Sequence, residues 1–378
     1  FVAGEDNTVI GENSSAVGRR HIVNKECSFV AGTSNTADGE NSFVAGYNNT
    51  VSERGSNALG HTNIVSGALS FAAGGNNIAN GTCSFALGSY TECGSYSLTA
   101  GTESIAKNDS FACGIQTYAL HNSVAENVHC IALFNSHAEG RGTAAFENEG
   151  EMFILASIDV DNNTLTTNGE DLYADDKYII YAPTGDDMIT VSAPAYIEIL
   201  SKISDNTYEY SCKSNATITE EHLNCIPCSS QVSGSSHSEG IHTIACGKAS
   251  HAEGFNTMAN GSSSHAEGAH TTSSGYCSHA GGESSQVTSN HSFAHGQGLV
   301  AKSVTSQAVF GKYNDSSTAA NNIFVVGNGS ASAVVGADKA VAGAQAITAP
   351  AEVVLEEDIV VEADANAETV EATEEVTE

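Results

Sequence analysis

The spacing of small, polar and glycine residues follows one repeat along most of the chain. Serines recur every 14 residues from Ser14 to Ser84, every 13 residues from there to Ser136, and every 14 residues again from Ser236 to Ser306. Each unit reads Ser, large, small, variable and Gly, and its eighth and tenth places hold Asn or Thr and a second small residue. Because so short a period accommodates only two short strands and two turns, the pattern predicts an all-β solenoid of stacked coils with parallel strands.

The alternation of side chains along a strand indicates which places of the repeat face the interior. The third place holds residues such as Val30 and Ala72, and the tenth holds residues such as Val51 and Ala79, so both are expected to fill a thin core. Glycine at the fifth place is expected to form a corner with positive φ. The asparagines of the eighth place are expected to form a polar ladder at a turn. The second and fourth places then point outward.

The outward second place carries a column of phenylalanines in the first block of repeats. A soluble monomer rarely exposes a continuous apolar stripe. We therefore expect identical chains to cover it in a cyclic homo-oligomer, with the phenylalanines near the axis. The predicted interface phenylalanines are Phe29, Phe43, Phe71, Phe85 and Phe111.

In the second block the outward second and fourth places carry histidine and glutamate. This pattern is compatible with a metal or anion column, or with a charge-compensated, hydrogen-bonded interface. We favour the interface, so the sequence predicts no metal site, no cofactor and no catalytic residue. Nearby glutamates are expected to raise the histidine pKa values, so the stability of this block should peak at weakly acidic pH. The residues added to the predicted interface are His237, Glu239, His251, Glu253, His265, Glu267 and His279.

Residues 147–233 interrupt the repeat and predict a small antiparallel β-domain looped out between two coils. The segment carries 16 acidic and 3 basic residues, and half of the 12 tyrosines. Tyrosine offers flat contact area with a polar tip, so the insert is expected to select the ligand, although packing a small core is an equally ordinary role. The candidate receptor-binding residues are Tyr173, Tyr178, Tyr181, Tyr196, Tyr208 and Tyr210.

Ten cysteines spread over 378 residues do not indicate a disulfide framework. Cys225 and Cys228, with Cys212 and His222 nearby, leave open a zinc site or a disulfide. Three other cysteines precede the serine of their repeat, where a small space-filling residue is expected; they are Cys27, Cys83 and Cys277.

The charge of the chain narrows the class of partner. Forty-five acidic and 13 basic residues give a formal net charge of −32, which excludes a protein that holds nucleic acid by electrostatic attraction. No apolar run approaches the length of a membrane-spanning helix, so no membrane insertion by this chain is expected.

The sequence predicts five segments: a first roll (1–146), the insert (147–233), a second roll (234–311), an exit segment (312–350) and a disordered acidic tail (351–378). The two rolls are expected to form two rods.

The repeat units resemble those of a known group of trimeric proteins. Ser-Phe-Val-Ala-Gly at 28–32 resembles the head repeats of trimeric autotransporter adhesins, and Ser-His-Ala-Glu-Gly at 264–268 resembles a variant found in phage and prophage tail fibres. The resemblance implies a left-handed parallel β-roll, a homotrimer and attachment to a receptor. Residues 306–329 resemble the exit of the fibre repeats, whereas residues 331–378 do not resemble the self-cleaving chaperone domain that follows in such fibres.

The leading hypothesis for function is a non-enzymatic, host-attachment segment of a phage or prophage tail fibre. In that case the protein would be part of the virion and would bind a glycan or protein on the surface of the host cell. The alternative is the head of a bacterial trimeric adhesin at the cell surface. A third class, a glycan-degrading tailspike, requires two placed carboxylates, which the repeats do not offer beyond the glutamate of the regular unit.

Overall fold

A computed structural model of the chain describes residues 1–147, 153–181, 194–214, 216, 218–220, 222, 224–228, 235–302, 304–314, 323–328 and 345–347. Every regular element in these residues is a β-strand, and they contain no helix. The strands form two long parallel sheets, which together make a β-solenoid, and one closed antiparallel barrel. The predicted all-β parallel solenoid with an inserted antiparallel domain is confirmed. The acidic tail, 351–378, lies outside the described residues.

One face of the solenoid is a sheet of mostly five-residue strands, here called the long sheet. Its strands pair in the register of the repeat, so Phe29 lies beside Phe43 and Gly32 beside Gly46. The parallel strands are Val2–Glu5, Ser15–Arg19, Phe29–Thr33, Phe43–Tyr47, Asn57–His61, Phe71–Gly75, Phe85–Ser89, Leu98–Thr102, Phe111–Ile115, Val124–Val128, His137–Arg141, His237–Ile241, His251–Phe255, His265–Ala266, His279–Glu283, Phe293–Gln297, Ala308–Lys312 and Phe324–Asn328, and Gln345–Ile347 pairs antiparallel with the last.

The opposite face is a sheet of two- and three-residue strands, here called the short sheet. The three-residue strands occur where the serine spacing is 13, because the turn that follows is one residue shorter. Its strands are Thr8–Val9, Ile22–Val23, Thr36–Ala37, Thr50–Val51, Ile64–Val65, Ile78–Ala79, Glu92–Cys93, Ile105–Lys107, Tyr118–Leu120, Ile131–Leu133, Ala144–Ala145, Ile244–Ala245, Met258–Ala259, Thr272–Ser273, Gln286–Val287 and Val300–Ala301.

The interior of the solenoid holds mostly small side chains and a polar ladder, as the repeat predicts. Val30, Val51 and Ala72 are fully buried between the two sheets. The Asn49 side-chain amide donates to the carbonyl oxygens of Ala45 (3.1 Å) and Gly60 (2.8 Å), and its Oδ1 accepts the next asparagine's backbone N–H at 3.0 Å. Each buried asparagine therefore joins its own coil to the following one.

Glycine at the fifth place forms the corner that the repeat predicts. Gly46 has φ of 122°, and a Cβ atom there would lie 1.8 Å from the carbonyl oxygen of Gly60 on the next coil. A side chain at this place would therefore separate the coils. The residues just before the serine also have positive φ, and this group includes three cysteines. These cysteines were expected to fill space, but they lie in surface turns. Cys27 and Cys277 are exposed, and Cys83 is partly buried.

The two blocks of repeats form one continuous stack rather than two rods. The long strand at His137–Arg141 pairs directly with His237–Ile241, although the insert separates them in sequence. The short strands pair across the same junction, with Ala144 beside Ile244. The chain leaves the solenoid at one coil and returns at the next without a change of register.

The insert is a closed six-stranded antiparallel barrel that packs on the short sheet. Its interior includes Ile180, Ile197 and Tyr208, whereas Ile179 and Ile226, on the opposite side of the barrel wall, pack against the solenoid. Its strands, in order around the barrel, are Phe153–Asp159, Thr164–Thr167, Thr207–Cys212, Ala195–Ser204, Lys177–Tyr181 and Asn224–Pro227.

The barrel covers the coils that have the 13-residue spacing. Outward residues of the short sheet there are large and apolar, and Ile105, Tyr118 and Ile131 are buried beneath the barrel. The rings of Tyr118 and Tyr196 meet at 5.4 Å between centroids. Apolar surface removed from water in this way holds the barrel against the rod.

Candidate functional site

The predicted phenylalanine column lies on the outer surface of the long sheet. Phe29 and Phe43 stack with their ring centroids 5.5 Å apart, and Phe71 and Phe85 follow at 6.3 Å. Asn57 stands between these two pairs, and its Oδ1 accepts the backbone N–H of Phe43 at 3.0 Å. In the single chain these rings, together with Phe111, are only partly buried. The column is thus an apolar stripe that the chain itself leaves uncovered.

The same face of the long sheet carries the histidine column further along the rod. The rings of His137, His237, His251 and His265 are stacked, with 4.8–4.9 Å between successive centroids and interplanar angles of 4–9°. The ring of His279 follows at 4.8 Å but is rotated by 69°. The parallel strand spacing imposes this separation, because equivalent side chains lie one coil apart.

Glutamates flank the histidine column at the fourth place of the repeat. The Nε2 atoms of His237 and His265 lie 3.7 Å from Glu239 and 3.4 Å from Glu253. These distances exceed those of a strong hydrogen bond, and both Nε2 atoms are buried without a hydrogen-bond acceptor. His279 comes closer, with its Nε2 atom 3.2 Å from an oxygen of Glu267.

The electrostatics of the column differ from the sequence-based expectation. Burial, and then the neighbouring His137 and His251 rings, lower the pKa of His237, although Glu239 acts in the opposite direction. Burial also lowers the pKa of His279, and the nearby His265 ring adds to the effect. The expected rise in histidine pKa is therefore wrong for these two residues, because stacked imidazoles are desolvated and disfavour each other's charge.

Most of the barrel tyrosines proposed to bind a receptor are core residues. Tyr178, Tyr208 and Tyr210 face the barrel interior, and Tyr196 lies between the barrel and the solenoid. Tyr181 is partly buried against the same junction. Their rings are not accessible for direct contact with a receptor, so the expectation for these five is corrected. Tyr173 remains largely exposed.

A cleft that the sequence did not predict lies where the barrel meets the solenoid. Its volume is about 540 Å³, and Cys212 and Ala216 form the barrel side. The solenoid side includes the exposed ring of Tyr90 and the carboxyl groups of Glu92 and Glu103. Tyr90 and Glu92 belong to one coil and Glu103 to the next, at the end of the solenoid region that the barrel covers. An aromatic ring beside polar groups in a concave site is an arrangement suited to a small polar ligand such as a sugar.

The cysteine pair of the insert does not form a disulfide. Cys225 lies in the strand Asn224–Pro227 and Cys228 directly follows it, and both thiols are buried. Cys225 packs inside the barrel and Cys228 packs toward the solenoid, so alternation along the strand directs the two sulfurs to opposite sides of the barrel wall. Burial raises the pKa of the Cys225 thiol well above its ordinary value, which disfavours the thiolate that a zinc site requires.

No protein-family model and no curated protein matches the chain. The part of the chain that the structure describes includes no helix with the length and apolar character needed to cross a membrane.

Proposed function

We propose that the chain is a segment of a homotrimeric attachment fibre from a phage or prophage tail, which binds a cell-surface receptor without catalysis. The observation that carries this proposal is the uncovered aromatic column on a continuous, in-register solenoid. A rod whose every coil presents the same outward place can pair with copies of itself along its length. Such an assembly is stiff and elongated, which suits a fibre.

The position of the barrel supports contact between copies through the long sheet. Along the coils from Ile105 to Ile244 the barrel buries the outer surface of the short sheet. The long sheet carries its aromatic and histidine columns on the opposite face, where the barrel leaves them uncovered. Three copies that meet through the long sheet would therefore place three barrels on the outside of the fibre, where a receptor can reach them.

The cleft at the edge of the barrel is the site we propose for the receptor. In a trimer built in this way it opens outward, and Tyr90 presents an exposed ring to it. The ligand class that fits an aromatic platform with amide and carboxyl groups is a surface glycan. The barrel then contributes one wall of the site and the solenoid the other.

The carboxyl groups of the cleft bear on the tailspike alternative. Glu92 forms an ion pair with Lys107 at 2.9 Å, and Glu103 accepts a hydrogen bond from Gln116 at 2.7 Å. Carboxylates already held by such partners suit ligand binding better than acid–base catalysis. We therefore retain binding as the proposal. The head of a bacterial trimeric adhesin remains the alternative, since it uses the same contacts between copies.

The test combines solution mass with attachment. Sedimentation equilibrium of the full chain should give three times the 38.8 kDa chain mass. Fluorescently labelled protein should bind host cells, and Tyr90→Ala should lose most of this binding. Tyr96→Ala is the matched control, because Tyr96 is 63% exposed against 60% for Tyr90 and also has positive φ, but lies in a turn outside the cleft and outside the strands of the long sheet.

Three results would contradict the proposal. A monomer at micromolar concentration would exclude the fibre, and equal binding by both tyrosine variants would exclude the cleft. Release of reducing ends from host capsule by the wild-type chain, abolished in Glu92→Gln or Glu103→Gln, would favour the tailspike instead. Removal of residues 147–233 is a poor substitute for these tests, because it exposes Ile105, Tyr118 and Ile131.

A further inference from the structure

The regular succession of outward glutamates stops at one glycine. On successive strands of the long sheet the fourth place holds Glu253, Glu267, Gly281 and His295. Unlike the corner glycines, Gly281 does not have positive φ, so its backbone conformation does not demand glycine. A Cβ atom at Gly281 would lie 2.4 Å from Nδ1 of His295 and 3.0 Å from Oε1 of Glu267. Because Gly281 has no side chain, the side chains of Glu267 and His295 can occupy this space.

Because of this gap, side chains from three successive coils meet. The Glu267 Oε1 atom lies 3.4 Å from Nδ1 of His295, although their strands are two coils apart. The same oxygen lies 3.2 Å from Nε2 of His279, on the coil between them. One ligand atom from each of the three residues lies within 4.8 Å of the others.

We propose that Glu267, His279 and His295 bind a divalent first-row transition-metal ion, with Zn²⁺ as the representative ion. Imidazole nitrogens and carboxylate oxygens bind Zn²⁺ at about 2.0–2.2 Å, so ligand atoms around a tetrahedral ion lie about 3.4 Å apart. The two contacts of the shared glutamate oxygen match this separation. A water molecule or a group from a second copy of the chain completes the coordination. The site does not depend on the proposed attachment function.

The composition of this cluster sets it apart from its neighbours. Three other clusters on the column contain one histidine and two glutamates. Two imidazoles favour transition metals over Mg²⁺ and Ca²⁺, which prefer oxygen ligands. The glycine gap occurs only at this cluster among the four, so we expect it to bind the ion most tightly.

Cobalt(II) is the probe for the test, because its visible absorption reports coordination by protein ligands. The full chain, stripped with a chelator, is titrated with Co²⁺ and then with competing Zn²⁺. The highest-affinity step should saturate at one ion per chain and disappear in His295→Ala. His291→Ala is the control, since it removes a nearby histidine, just before Ser292, that lies outside the cluster. An unchanged first step in His295→Ala, or equal losses in both variants, would overturn the proposal.

Two more variants protect the test from a folding artefact. Glu267→Gln keeps the size of the side chain but removes the charged ligand, and Gly281→Val fills the gap with a residue that other coils hold at this place, as at Val17. Both should lose the step while keeping the far-ultraviolet circular dichroism of the metal-free wild type. Zn²⁺ should raise the melting temperature of the wild type and not of these variants. A folded Gly281→Val chain with wild-type Co²⁺ affinity would refute the role of the gap.

Discussion

The phenylalanine column and the histidine column occupy the same place on the same sheet, yet their chemistry differs completely. Phe43 and His251 each lie at the second place of a five-residue strand, and the strands pair in the same register. The residues that follow them in each strand, Val44 and Ala252, point into the solenoid and are fully buried. The fold is therefore set by the interior and the turns, whereas the outward column is free to change. Function in such a solenoid is expected to follow the outward places.

The interior also differs between the two blocks, although less visibly. In four successive coils of the first block, from Asn35 to Asn77, the eighth place is asparagine, which bonds to its own coil and to the next. In the first three coils of the second block it is threonine, and Thr271 donates to the carbonyl oxygen of Glu267 on its own coil at 3.0 Å. The neighbouring Thr257 hydroxyl is buried without a hydrogen-bond partner. The asparagines thus link successive coils in a way that these threonines do not.

The largest effect should come from breaking the phenylalanine column. Phe43→Ser together with Phe85→Ser should dissociate the proposed trimer, because each ring would contribute on the order of 1 kcal/mol when its exposed part is buried, repeated over three chains. Sedimentation velocity measures the change. The matched control is Ile22→Ser with Ile64→Ser on the short sheet, where the exposed fractions are 43% and 46% against 42% and 44% for the phenylalanines. If the control dissociates as readily, contact between copies lies on the short sheet.

A smaller effect is expected on the free energy of unfolding, which an asparagine of the ladder should raise more than a threonine at the same place. Asn63→Ala leaves the carbonyl oxygens of Leu59 and Gly74 without their donor, at 2.9 and 3.1 Å in the wild type. We expect a loss of about 3 kcal/mol in the free energy of unfolding. Thr257→Ala should cost about 1 kcal/mol or less, since its hydroxyl bonds to nothing in the described part of the chain. Chemical denaturation measures both, and equal losses would mean that the ladder does not stabilise the stack.

The smallest effect should be the part of the pH dependence that the histidine column contributes. The pKa of His237 is lowered by burial and by His137 and His251, with Glu139 and Glu239 opposing. The unfolded chain then binds the proton more readily than the folded one. Stability is therefore complete above the unfolded pKa of about 6.5 and is lost as the pH falls below it.

Thermal melts between pH 8 and pH 5.5 test this dependence. The wild type should melt at progressively lower temperature below about pH 6.5. His237→Phe, which places the residue of the first block in the second, should flatten the curve. A melting temperature that rises on acidification would restore the sequence-based expectation of raised histidine pKa values.

The solenoid could be predicted from the sequence because its signal is local and repeated. Glycine at the corner, small residues at the places of Val30 and Val51, and a polar residue at the turn recur in most coils, so many units independently support the register. The insert offered no such repetition. Its strands Thr164–Thr167 and Asn224–Pro227 carry little sequence signal, since they are short, and the second ends in proline.

The surfaces were harder to predict because they depend on contacts between distant segments. A tyrosine at a strand position such as Tyr196 or Tyr208 has the same sequence signature whether it faces solvent or a core. The junction did leave a signal, which is the coincidence of 13-residue spacing with large apolar residues at Ile105, Tyr118 and Ile131. The cleft beside Tyr90 left none, because its walls come from two elements far apart in the chain.

The direction of the hydrogen bonds between coils has a mechanical consequence. Bonds such as Thr50 N–H to Asn63 O, at 2.9 Å, join consecutive coils and so run along the rod. A pull along the rod therefore loads all coil interfaces in series, and the weakest one determines the rupture force. Where the barrel interrupts the chain, Ala144 N–H still bonds to Thr243 O at 2.9 Å. The rod thus carries a side domain without a break in the path that transmits tension.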